Sequence, residues 1–78
     1  MRNLVRMNPV RQQVADRIHA AMEVADETTY GLAQKTLIPK STLIRKLAGG
    51  ASFTVDELDA IATALEVDVA ELVRGVAA

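Results

Sequence analysis

Cysteine and tryptophan are absent from this 78-residue chain, histidine occurs once, as His19, and Tyr30 and Phe53 are its only aromatics. Without cysteine there is no disulfide framework, thiol nucleophile or thiolate metal site, and one histidine does not assemble a zinc or iron site by itself. No metal and no cofactor is expected. An aromatic content of 3% removes the stacking platforms that single-strand and RNA binders place under bases. No apolar run approaches the roughly 20 residues of a membrane span, and MRNLVRMNPV at the start lacks the apolar centre of a secretion signal. A cytoplasmic protein is expected.

Acid is missing from one stretch in particular. Between Lys35 and Lys46 stand four cations, Lys35, Lys40, Arg45 and Lys46, and no Asp or Glu, in a chain whose formal net charge is only −1. Residues 1–48 hold eight Lys/Arg against four acids, a balance of +4, and residues 49–78 hold Arg74 against six acids, a balance of −5. The cationic end is drawn to phosphate while the acidic end is repelled, which favours salt-dependent, oriented binding over indiscriminate coating of a polyanion. Asp16 with Glu23, and Asp56 with Glu57, are the carboxylate pairs open to general acid–base work. No nucleophile, metal-ligand set or phosphate-cradling glycine motif accompanies them, so no enzyme is expected and no residue is assigned as catalytic.

What is present is helical. At 50% hydrophobic and 24% charged residues, the composition is that of one small domain spanning residues 1–78, with residues 1–7 read as a flexible arm. Asn8–Pro9 supplies a cap and a first-turn proline. Val10, Val14, Ile18 and Met22 then recur every four residues, predicting a helix from about Pro9 to Val24. Asp26, Glu27 and Thr28 cap a second, about Thr29 to Lys35, that buries Leu32 and Ala33. Pro39 opens a third, about Pro39 to Ala48, which Gly49 and Gly50 terminate. Thr54 with Glu57 forms a capping box, stapled by Phe53 against Leu58, ahead of a stripe of Leu58, Ile61, Ala62 and Leu65. Asp68 with Glu71 repeats that signal before a fifth stripe of Val69, Leu72, Val73 and Val76. No strand, repeat or linker is found.

The span from Gly31 to Gly50, two short helices around a tight break with the second one basic, has the pattern of a DNA-reading helix-turn-helix. At 100° per residue, Leu43, Ile44 and Leu47 fall within roughly 100° of one another and form the expected inner face of the third helix. Ser41, Thr42 and Arg45 cluster opposite, with Lys46 at their edge, and Lys40 lies nearer the inner side with a long stem. Arginine pairs bidentately with guanine in the major groove, and hydroxyls serve bases or phosphates, so Lys40, Ser41, Thr42 and Arg45 are the candidate base contacts. Candidate phosphate contacts are Thr29, through its hydroxyl and helix-start amide, Lys35 and Lys46 as solvated cations, and Ser52 and Thr54 in the loop after the glycines. Thr29 reads equally as a plain cap, and Gly49 and Gly50 as plain terminators. His19 falls off the stripe and reads as solvated.

On LAQKT (Leu32–Thr36), the turn Leu37–Pro39, KSTLIRKLAGG (Lys40–Gly50) and FTVDELDAIATALEVDVAEL (Phe53–Leu72), the chain resembles the phage-repressor and Cro-like helix-turn-helix family. That resemblance implies an all-α, compact five-helix domain of the lambda-repressor-like DNA-binding type. It places recognition-helix positions on Lys40, Ser41, Thr42 and Arg45 and a phosphate clamp on Thr29. It also implies a homodimer on a palindromic double-stranded DNA operator, with half-sites roughly 34 Å apart, in a bacterial cell and on its nucleoid. Two departures stand out: Leu37 occupies a turn position where relatives often carry glycine, and the apolar pair Leu43 and Leu47 is spaced by four rather than three. The leading reading is a sequence-specific regulator, a phage or prophage repressor or Cro-like protein acting by operator occupancy, with no ligand-sensing domain expected at this length. The alternative is an antitoxin or adaptor that binds a partner protein through the acidic end or through Leu4, Val5 and Met7.

Overall fold

The structure is a computed structural model that describes residues 9–76. Five helices follow one another: α1 (Val10–Ala25), α2 (Thr29–Thr36), α3 (Lys40–Leu47), α4 (Val55–Leu65) and α5 (Val69–Val73). They match the five expected helices to within one or two residues, except that α5 stops at Val73. The predicted arm and the Asn8 cap lie outside the described residues.

Local chemistry explains each boundary. The Pro9 carbonyl accepts from Gln12 and Gln13 at 2.9 and 3.0 Å, so α1 begins at Val10. It ends where Asp26 turns left-handed and the Glu27 amide reaches back to the Met22 carbonyl at 2.9 Å, a tight C-terminal closure. Thr28 caps α2 by accepting from the Gly31 amide at 3.0 Å. The Thr54–Glu57 capping box forms in both directions, at 3.0 and 2.8 Å. The Asp68–Glu71 expectation is corrected: Asp68 accepts from Ala70 at 3.5 Å, while the Glu71 side chain makes no reciprocal bond among the described residues. With only one weak cap, α5 is short, and Val69 and Val73 lie exposed instead of joining the inner stripe.

Each helix contributes one fully buried large side chain, Ile18, Leu32, Leu43, Ile61 and Leu72 in chain order. Around them pack Val14, Met22, Ile38, Leu47 and Leu65, with Phe53 and Leu58 half-buried at the edge, so the predicted staple residues share one apolar border. α3 packs on α1 and α2, whereas α5 packs on α1 and α4 and does not meet α3.

The break between α2 and α3 spans Leu37, Ile38 and Pro39. Ile38 turns inward, and the Thr36 hydroxyl donates to the Leu32 carbonyl at 2.8 Å and accepts from the Ile38 amide at 3.3 Å. Leu37 sits at φ 64°, ψ 19° with its side chain 87% exposed. The left-handed conformation costs an ordinary L-residue about 1–2 kcal/mol, and burial returns almost nothing to this leucine. Leu37→Gly is therefore expected to stabilise the fold by about 0.5–1 kcal/mol after its own unfolded-state entropy is counted. Urea unfolding checks this, and a lower midpoint for the glycine variant would show that the Leu37 side chain carries weight the fold depends on.

Candidate nucleic-acid interface

Helix α3 has no acidic residue, and its free face is set by what it buries. Leu43, Lys46 and Leu47 point inward, Ser41, Ile44 and Arg45 are exposed, and Thr42 is half-buried. The expected inner set contained Ile44 in place of Lys46, so the helix is rotated by roughly 50° from the angular count. Ile44 is 50% exposed and Lys46 only 9% exposed.

Lys46 is thereby corrected. It is not a solvated cation awaiting phosphate: its ammonium donates to both carboxylate oxygens of Glu57, at 2.7 and 2.9 Å. The aliphatic stem of lysine can line an apolar surface while its head finds a polar partner, and here that partner is the acid of the α4 capping box. One carboxylate therefore closes the start of α4 and anchors the inner side of α3. Burial pushes the Glu57 pKa up, but the hydrogen bond and charge of Lys46 and the amide of Thr54 outweigh it, and the group lies below its usual value of 4.5.

Lys35 is exposed as expected, yet its ammonium meets Glu27 at 2.6 Å. That hydrogen bond, together with the lysine charge and the Thr28 amide, outweighs burial and lowers the Glu27 pKa. Of the four cations between Lys35 and Lys46, two are thus matched by acids from elsewhere in the fold. Arg45 is exposed, and its side chain makes no hydrogen bond or ion pair among the described residues. Lys40 is also exposed, with its ammonium 5.3 Å from the centroid of the Tyr30 ring, within cation–π range.

Thr29 is the first helical residue of α2, the cap being Thr28. It is half-buried and borders a shallow cleft with His19, Ile44, Leu47 and Ala48. Amides in a first helical turn have no intrahelical acceptor; here Thr28 caps that of Gly31, and the Glu27 carboxylate, held by the Thr28 amide at 3.3 Å and by Lys35, already stands beside this helix start. Ser52 is exposed, and the Thr54 hydroxyl accepts from Glu57 within the capping box. Gly49, at φ 85°, and Gly50 close α3 through amides that donate to the carbonyls of Lys46 and Arg45, at 3.0 and 2.9 Å.

Near this face, sequence reasoning did not single out Tyr30 and Arg11, and it gave His19 no partner. Tyr30 is bonded through its hydroxyl to Gln34 at 3.0 Å and lies under Lys40; the i, i+4 spacing of Tyr30 and Gln34 was its available signal. Arg11 donates from Nε to the Gly49 carbonyl at 2.8 Å. His19, read as solvated, has Nε2 2.9 Å from the Leu47 carbonyl. No local pattern announces these last two, because their partners lie 38 and 28 residues away.

Two short helices joined by a three-residue break, with the second presenting a cationic polar face, define a helix-turn-helix. The chain belongs to the Cro/C1-type HTH DNA-binding domain family, which matches residues 17–77. That membership supports a DNA-binding regulator. No curated protein and no solved structure matches the chain. Among the described residues, no helix is long and apolar enough to cross a membrane.

Lys46→Ala is expected to lower stability by about 1–2 kcal/mol, because it takes the ammonium from a half-buried carboxylate and leaves it only the Thr54 amide. It should leave the slope of log affinity against log salt unchanged to within the ~0.9 that one phosphate contact contributes. A normal melting curve with a shallower salt slope would restore the solvated reading. The lowered Glu57 pKa means that its stabilisation is complete above the unfolded carboxylate value and is lost as pH falls through the folded one. Glu57→Gln should therefore be less stable at pH 7 and show a flatter decline below about pH 4.5, measured by denaturant titration across pH.

Proposed function

We propose that this DNA-binding regulator is a sequence-specific repressor of phage or prophage type, Cro-like in that it acts by occupying its operator. The observation that carries the reading is the contrast along α3: Lys46 is neutralised inside, while Arg45 and Lys40 stand exposed outside with no acid on the helix to oppose them. A helix in the major groove meets phosphates on both rims and base edges at the floor. In this reading Arg45 pairs with a guanine, Ser41 and Thr42 supply hydroxyls to bases or nearby phosphates, and Lys40 is steered by Tyr30 at the leading end. Thr29 offers the α2 start to one phosphate strand, and Lys35, Ser52 and Thr54 flank the groove as weaker contacts.

The chain acts as a homodimer on a palindromic operator, since one eight-residue helix reads too few base pairs to be selective and a two-fold copy doubles the site. Such a regulator works at the nucleoid of a bacterial cell and needs no cofactor. A second reading, an antitoxin or adaptor whose main task is binding a protein, draws on the exposed Val69 and Val73 of α5, on the side of the fold away from α3.

Selection from a random duplex library is expected to return a palindromic consensus. Arg45→Ala should weaken binding to it by about 1–3 kcal/mol and relax preference at one base position per half-site. Wild-type affinity for the variant in a gel-shift titration would show that the reading face is elsewhere. Recovery of no consensus, together with a stable complex with a different protein, would favour the second reading.

A further inference from the structure

Ile44 is the residue of α3 that the core does not need. Leu43 and Leu47 fill the inner side with Lys46 at its edge beyond Leu43, and Ile44, beyond Leu47, is left half-exposed. On the helix surface it lies in the row Lys40, Ile44, Ala48, at spacings of four, beside the row Ser41, Arg45. All five of these residues are exposed. An apolar branched side chain thus stands among the two cations of α3 that no acid opposes. Its exposed flank borders the cleft with Thr29 and Ala48 that separates α3 from the start of α2.

Phosphates and guanine edges use the cations and offer nothing to an isoleucine. The apolar group that unmodified base pairs present in the major groove is the C5-methyl of thymine. We propose that Ile44 is a specificity-determining residue that packs against a thymine methyl, with Ala48 beside it, so that α3 reads a thymine close to the guanine paired with Arg45. The assignment rests on the DNA-binding reading above and adds to it a second base identity and an apolar mode of recognition. The charge around Ile44 commits it to a nucleic acid rather than a protein surface: Lys40 and Arg45 flank it, and α3 itself carries no anion.

The test replaces thymine by deoxyuridine, one position at a time, in the duplex recovered by selection, which removes the methyl and leaves pairing intact. Fluorescence-anisotropy titration of the wild-type protein should show a weakening of about three- to tenfold at one thymine per half-site. Ile44→Ala should bind the thymine and uracil duplexes alike, while Arg45→Ala should keep the methyl preference at lower overall affinity. Wild-type binding within twofold at every replacement overturns the assignment and leaves the regulator reading standing, as does an unchanged methyl preference in a folded Ile44→Ala. The wild-type series involves no variant, so it decides the point even if Ile44→Ala fails to fold. Recovery of no preferred duplex overturns both.

Discussion

The rotational setting of α3 is the constraint from which the rest of the interface follows. A helix of eight residues has about two turns with which to choose what it buries, and a shift of half a residue's arc exchanges one reading face for another. Leu43 and Leu47 anchor it apolarly, but two leucines four apart leave the rotation loosely defined. Lys46 sharpens it, because its ammonium has one acid within reach, Glu57, already held by the Thr54 amide. Moving Lys46 outward strands a carboxylate, and turning Ile44 inward requires moving Lys46. The polar contact inside thus decides which residues stand outside.

Charge is sorted by the same device. A count along the sequence gives a run of four cations, and the fold answers two of them with acids, Glu27 for Lys35 and Glu57 for Lys46. What faces solvent from α3 is a narrower charge, Arg45 and Lys40, spaced by five residues around an apolar centre. Geometry selective for a base sequence is better served by two placed cations than by four diffuse ones, which favour any polyanion.

Much of this was legible in the sequence where signals are local. The Thr54–Glu57 box, Thr28 ahead of α2, the glycines after α3 and the four-residue periodicity of α1 each act within one or two turns, and each appears as read, except that Val10 at the start of the α1 stripe is exposed. The fold class and family likewise rested on their order. The misreadings share a different cause. Lys46 is placed by a partner 11 residues away, and periodicity assigns a lysine outward and an isoleucine inward by default; the bonds of His19, which is exposed as expected, and of Arg11 reach 28 and 38 residues and leave no local sign. The fifth stripe was overcounted because valines at helical spacing look buried even when a helix is too short to carry them into a core.

Three contacts to α3 come from outside the helix pair it belongs to: Arg11 and His19 of α1 hold the carbonyls of Gly49 and Leu47, and Glu57 of α4 holds Lys46. The two-helix unit is therefore not portable. Transplanted onto a foreign scaffold as a cassette, residues 28–50 would bring the side chains that face outward but none of the three grips that orient them, and the graft would inherit the composition of a reader without its aim.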